Sequence, residues 1–256
     1  MRQIGRCVMV NKALGQHWLR NRAILDEIAA LAAEETQAPV CLEIGPGLGT
    51  LTAALFRKFE KVVAVEYDAD LARKLPGSFP GKNLEVVNED FLQFDLKRMP
   101  EPYVAAGNIP YYITSPIIER LLTAENRPEK IVLLMQKEVA ERIVDNRETL
   151  LSIRCKNRAD IALGPVVPRS EFEPAPEVDS QVVVFTPHDP VLSDEVMRFV
   201  QTGFSQPRKK VTRNLSVYMP REDIKDIFIR NNINIDVRPA EMHLADWQKI
   251  YDLMKK

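Results

Sequence analysis

Between residues 20 and 144 the apolar positions alternate between helical spacing and short unbroken runs. AILDEIAALAAEE (23–35) puts Ile24, Ile28 and Leu31 on one helical stripe, and Asn21 stands where a cap belongs. VCLEI (40–44) is an apolar run of strand length that ends in a glycine-rich loop, and TLTAALFRKF (50–59) returns to helical spacing. KVVAVE (61–66), LEVVN (84–88), YVAAG (103–107) and KIVLLMQ (130–136) read as further strands. ADLARKL (69–75), SPIIERLLTA (115–124) and KEVAERIV (137–144) read as the helices between and after them. Pro116 falls in a first helical turn, where its missing N–H is harmless. Strands alternating with helices of about ten residues predict βαβ units and a parallel sheet covered on both faces, which suits uninterrupted apolar strands.

Two later segments, LSIRCKNRADIAL (151–163) and VDSQVVVFTP (178–187), are strand-like with no obvious helix between them, and they predict an antiparallel pair at the sheet edge. From about residue 190 the spacing is helical. The expected fold is therefore α/β, a Rossmann-like sheet over residues 1–188 followed by a small helical domain over 189–256. At 256 residues, 45% of them hydrophobic, the chain can bury a sizeable core without staples. No apolar run approaches the roughly 20 residues needed to cross a bilayer. MRQIGRCVMVNK at the start has too short an apolar run for a signal peptide. Cys7, Cys41 and Cys155 are odd in number and far apart, as suits a reducing, cytoplasmic setting, and His17, His188 and His243 are too scattered to form a metal site.

Thirty-five Lys and Arg against 36 Asp and Glu give a formal net charge of −1, but unevenly: residues 201–256 hold 11 basic and 7 acidic groups, or +4, which leaves 24 and 29, or −5, for residues 1–200. The tail is therefore a different kind of surface from the body, without the strongly basic balance of an indiscriminate nucleic-acid binder.

The candidate chemistry lies at strand ends. Glu43-Ile44-Gly45-Pro46-Gly47-Leu48-Gly49-Thr50 follows the first strand, and such a turn brings bare backbone to a ligand at the carboxyl edge of the sheet. The dinucleotide pattern would need glycine at Thr50, which disfavours a nicotinamide-linked oxidoreductase. Glu66 closes the second strand, where a carboxylate can accept both hydroxyls of a ribose. Asp90, after the third, can take an amino group of an adenine edge. Each acid alone also reads as a solvated strand-end charge, and the glycine turn alone as a tight strand–helix connection. The three in succession describe a nucleoside site.

EIGPGLGTLT, VVAVEYD, NEDF and NIPYY, in that order, resemble the S-adenosylmethionine-dependent methyltransferases of the Rossmann-like class, and more narrowly the ribosomal RNA adenine dimethyltransferases. The resemblance implies S-adenosyl-L-methionine as the cofactor. It also gives Gly107-Asn108-Ile109-Pro110-Tyr111-Tyr112 a role. The exocyclic amine of adenine is a poor nucleophile because its lone pair is delocalised into the ring. Two acceptors that hold both N–H groups, the Asn108 side chain and the Ile109 carbonyl, would favour a pyramidal nitrogen. Pro110 would stiffen the turn, and Tyr111 would stack on a flipped base. Taken alone, NxPY also reads as a proline turn with surface aromatics.

Gly15-Gln16-His17-Trp18-Leu19 resembles the family's cofactor-closing segment, which implies that His17 and Leu19, with Glu43, Gly45, Gly47, Glu66, Asp90 and Asn108, touch the cofactor. A solvated loop imidazole is the other reading of His17. Phe172 falls where the family has an aromatic over the second face of the base, with a core phenylalanine as the other reading. Phe204-Ser205-Gln206-Pro207-Arg208-Lys209-Lys210-Val211-Thr212-Arg213-Asn214 resembles a family segment at a helix start. Its Arg208, Lys209, Lys210 and Arg213 are expected on RNA phosphates, which position without reading sequence. Two departures stand out: Pro207 in place of a common arginine, and a shortened IVDNRETL (143–150) without the usual glycine-containing loop.

No heptad or exposed seam suggests an obligate partner, so a monomer without metal is expected, and the resemblance implies an enzyme that dimethylates two adjacent adenines near the 3′ end of small-subunit rRNA during ribosome assembly. The alternatives are a large-subunit dimethyltransferase of the macrolide-resistance type and an RNA-binding assembly factor without catalysis.

Overall fold

The computed structural model describes residues 17–255; Cys7, Gly15, Gln16 and the basic start of the chain lie outside them. In chain order the elements begin with strand β1 (Trp18–Leu19), helix α1 (Arg22–Ala33), β2 (Val40–Ile44), α2 (Thr50–Leu55), β3 (Lys61–Glu66) and α3 (Ala69–Lys74). They continue with β4 (Leu84–Asn88), β5 (Tyr103–Asn108), α4 (Thr114–Thr123), β6 (Lys130–Gln136), α5 (Lys137–Val144), α6 (Leu150–Lys156) and β7 (Ala159–Val167). After them come β8 (Phe172–Glu173), β9 (Ser180–Pro187) and four helices, α7 (Asp194–Gly203), α8 (Val211–Asn214), α9 (Arg221–Arg230) and α10 (Leu244–Met254).

Seven strands form one sheet in the order β4-β3-β2-β5-β6-β9-β7. The pairings of β2 with β3 and β5, of β3 with β4 and of β5 with β6 are parallel, and the expected antiparallel edge is present. Chain order runs outward from β2 through β3 to β4 on one side and from β5 to β6 on the other. A crevice opens at such a reversal, beyond the carboxyl ends of the strands. Separately, β1 and β8 form an antiparallel pair that sets Leu19 opposite Phe172 and Trp18 opposite Glu173.

The chain divides into two compact units, one holding the residues through 137 together with 163–184, the other 138–162 and 185 onward. This differs from a single boundary near 188. In the second unit Ile153 of α6 packs in one core with Phe199, Phe228 and Trp247. Asn157 ties itself to the backbone of Leu192 in both directions, accepting from its N–H at 2.6 Å and donating to its carbonyl at 3.3 Å. Residues 151–163 are thus not one strand: Thr149 caps α6 through a reciprocal bond with Ser152, and the strand begins only at Ala159.

In the first unit the side chain of Asn21 accepts from Ala23 and Ile24 N–H at 3.0 and 3.3 Å, the cap expected of it. The face of α1 that is buried holds Leu25, Ile28, Ala29 and Ala32, while Ile24 and Leu31 flank it. Cys41 and Cys155 are both buried and form no disulfide. No helix among the described residues is long and apolar enough to cross a membrane.

Candidate active site

A cavity of about 300 Å³, within the size range of small-ligand sites, opens in the first unit where β2, β3, β4 and β5 end. Among the expected residues that line it are His17, Leu19, Glu43, Gly45, Gly47, Glu66, Asp90, Asn108, Ile109, Pro110 and Tyr111.

The floor is the turn after β2, where Gly45, Gly47 and Gly49 take φ of +65°, +55° and +80°. At Gly47 the left-handed backbone is reinforced by crowding, because a Cβ there would lie 3.0 Å from the indole nitrogen of Trp18. Gly107 has a different constraint: a Cβ would stand 2.8 Å from the Ile44 carbonyl oxygen, so only glycine lets the end of β5 approach the turn.

Two buried carboxyl groups face this floor. Glu66 accepts the N–H of Gly47 on one oxygen at 2.9 Å and that of Asp68 on the other at 2.8 Å, which fixes its plane toward the cavity. Burial raises its pKa, against the lowering effect of those backbone bonds. Glu43, 1% exposed, is raised to about 8, chiefly by burial; the Thr52 hydroxyl, which donates at 2.6 Å, opposes the rise and the nearby charge of Glu66 adds to it. Its second oxygen is buried without a hydrogen-bond partner among the described residues. Asp90 accepts the Leu92 N–H at 2.9 Å and holds the loop after β4 at the cavity wall. A glycine turn that brings bare backbone to the cavity, a carboxylate fixed in orientation by that turn and a third acid one strand away fit the polar ends of a nucleoside cofactor.

At the end of β5, Asn108 pairs in register with Leu134, and its amide nitrogen donates to the main-chain carbonyl of His17 at 2.8 Å. A carbonyl can only accept, so the amide nitrogen must face His17 and the amide oxygen is turned away from it. Ile109 is buried, its N–H on the Leu134 carbonyl at 3.3 Å, and Pro110 takes φ −61°, the angle its ring imposes. Tyr111 stacks on the His17 ring, centroids 5.9 Å apart and planes within 20°. The His17 Nδ1–H in turn donates to the Pro174 carbonyl at 2.8 Å. His17 is therefore half-buried and bonded rather than a free loop imidazole; it couples the residue 17–19 segment to the turn after β5.

Phe172 departs from its expectation. It is 5% exposed, sits in the hydrophobic core opposite Leu19 in the β1–β8 pair, and does not line the cavity. The core reading of this residue is the one the structure adopts. Three further aromatics escaped the sequence reading. Trp18 covers Gly47, and its signal was its place between two expected contact residues. Tyr112, 63% exposed, and Tyr67, 64% exposed, also line the cavity.

In the second unit Arg208 and Lys209 stand in a turn before α8, Lys210 caps that helix and Arg213 lies within it. All four are exposed. Lys210 is paired with Asp236, which offsets one of the four charges. Asn214 is buried and donates to the carbonyls of Gly203 and Gln206, so it shapes the turn that carries the basic run. Among the described residues no cluster of His, Cys, Asp and Glu could hold a metal ion.

The family described as Ribosomal RNA adenine dimethylase matches residues 8–256. The chain is similar to the Ribosomal RNA small subunit methyltransferase A of Acaryochloris marina (strain MBIC 11017), 36% identical over 258 residues that cover 94% of this chain and 96% of that one. Among solved structures it is similar to a dimethyladenosine transferase from Plasmodium falciparum, with a TM-score of 0.76, 27% identity and coverage of 91% and 95%. It is also similar to the 23S rRNA methyltransferase ErmE, with a TM-score of 0.75, 27% identity and coverage of 93% and 100%. With a match that runs over almost its whole length, the chain belongs to the ribosomal RNA adenine dimethylase family.

Proposed function

We propose that the chain transfers methyl groups from S-adenosyl-L-methionine to the N6 amine of adenine in small-subunit ribosomal RNA, twice per base, at two adjacent adenines near the 3′ end. The observation that carries this reading is Asn108: its nitrogen is committed to the His17 carbonyl, and among the described residues no donor occupies its oxygen. An acceptor of that kind, set at the end of β5 beside the glycine turn, suits an N–H of a primary amine.

The bound cofactor supplies an electrophilic methyl on a sulfonium. Gly45, Gly47 and Glu66 hold its polar parts, with Asp90 toward its base and His17 and Leu19 as the covering wall. Asn108 Oδ1 and the Ile109 carbonyl take the two N–H groups of the target amine, which orients its lone pair toward the methyl. Pro110 limits the motion of these acceptors, so little reorganisation accompanies transfer. The ring of Tyr111 stacks on the extruded base, a contact worth about 1–3 kcal/mol. With Phe172 in the core, the base meets one aromatic face rather than two. Arg208, Lys209 and Arg213 contact phosphates of the rRNA or of a precursor particle in the cytoplasm, with Lys210 contributing less because of Asp236.

Asn108→Ala tests the reading. Methyl transfer from labelled cofactor into undermodified small subunits is expected to fall by about 100-fold, the scale for loss of one transition-state hydrogen bond. Near-normal turnover would remove the acceptor role. The position of the labelled adenines separates this reading from action on the large subunit, and cofactor binding with no transfer to any RNA would favour a non-catalytic assembly factor.

A further inference from the structure

Resting on the reading that Tyr111 stacks on the target base, we infer that Ser180 is a positioning residue: through the Tyr111 hydroxyl it fixes the plane on which that base lies. Ser180 is fully buried at the start of β9, and its Oγ lies 2.8 Å from the Tyr111 hydroxyl oxygen. A buried hydroxyl needs a partner, and this one is matched to the far end of the ring. The surroundings of Ser180 are fixed in turn. Neighbouring Asp179 accepts the Lys137 N–H on its carbonyl at 3.0 Å and the Arg169 N–H on its carboxylate at 2.9 Å.

Tyr111 begins a single 3-10 turn, and its main chain is held by the Thr114 hydroxyl, which donates to the Tyr111 carbonyl at 3.1 Å. That bond fixes the backbone but leaves the ring two rotatable bonds. The hydroxyl tie to Ser180 restrains both, and the imidazole of His17 covers one face of the ring. A single face remains for a base, already oriented before the base arrives. Ring freedom that would otherwise be lost on binding is lost on folding instead, which places the effect in the chemical step and in RNA affinity rather than in cofactor binding.

The test is a double-mutant cycle on the full chain with small subunits as substrate. Ser180→Ala and Tyr111→Phe are each expected to lower kcat about tenfold, with the cofactor Kd by calorimetry unchanged within about twofold. The double variant is expected to match the single variants rather than fall about 100-fold, because both remove the same bond. Turnover of Ser180→Ala near the wild-type value overturns the inference. So does additive loss in the double variant, or loss of cofactor binding in Ser180→Ala. Should Ser180→Ala fail to fold, Tyr111→Phe decides: full kcat refutes the tie, and a tenfold loss with intact cofactor affinity supports it. Tyr111→Ala separates the two levels. If it is inactive while Tyr111→Phe is normal, only the role of Ser180 falls; if Tyr111→Ala is fully active, the stacking reading falls and takes this role with it.

Discussion

Glu43 holds a carboxyl proton that leaves only near pH 8 in the folded chain, against an ordinary value of 4.5. Below about pH 4.5 the group is protonated folded or unfolded and adds no pH dependence. Between 4.5 and 8 the unfolded chain releases this proton while the folded chain keeps it, so stability falls as pH rises, by at most about 1.4 kcal/mol per pH unit. Above 8 both forms are ionised and the effect ends. Glu43→Gln removes this slope: relative to wild type, its stability in urea is expected to improve between pH 5 and pH 8, and a difference that stays flat across that range would contradict a neutral Glu43. The strand-end acids were legible as candidates only together with the glycine turn, since each alone also reads as a solvated strand-end charge. The orientation of Phe172 was not, since FEPAP states that an aromatic is present but not that β8 pairs with β1 and turns the ring toward Leu19. Nor could sequence show that His17 serves Asn108 through a main-chain carbonyl, an atom every residue possesses.

At the scale of elements, the parallel strands and the helices between them follow the apolar pattern to within a few residues. The segment that misled is 151–163. Leu151, Ile153 and Cys155 alternate with polar residues as in a strand, and seven helical residues give less than two full turns of competing period. What decides for helix is its start: the Thr149–Ser152 box and, beneath it, Glu148. That carboxylate, 4% exposed, accepts the Ser152 hydroxyl at 2.6 Å and the Lys156 ammonium at 2.8 Å, with His243 Nδ1 at 3.1 Å. The shortened stretch at 143–150 therefore ends in a polar anchor for the second unit. Glu148→Ala removes the carboxylate that Lys156 and Ser152 share, leaving Lys156 the Asp145 carbonyl and Ser152 the Thr149 carbonyl, and denaturant titration is expected to show a loss of about 2 kcal/mol. Arg142→Ala, which removes an exposed pair with Glu138, is expected to cost under about 0.5 kcal/mol. Equal effects would deny Glu148 its anchoring role.

Across the whole molecule the charge is divided by sequence position, −5 over residues 1–200 and +4 over 201–256. RNA affinity that depends on the tail should then weaken with added salt in proportion to the phosphates it neutralises. Arg208→Ala and Arg213→Ala are each expected to lower the slope of log affinity against log salt by just under 1 in filter binding, whereas Lys210→Ala, whose charge already faces Asp236, should change it less. Slopes unchanged from wild type in all three would take the tail off the RNA. On the proposed site, the pairing of β1 with β8 also sets when the protein becomes competent. His17 reaches Pro174, the Arg20 N–H reaches the Glu171 carbonyl and Asn21 reaches the Glu171 carboxylate, so one wall of the crevice is closed by residues about 150 positions downstream. A growing polypeptide carries the glycine turn and Asn108 long before it carries the partner of Trp18 and Leu19. Until residue 174 has been synthesised and has left the exit tunnel, the chain holds most of the groups proposed for catalysis but lacks the clasp that sets them.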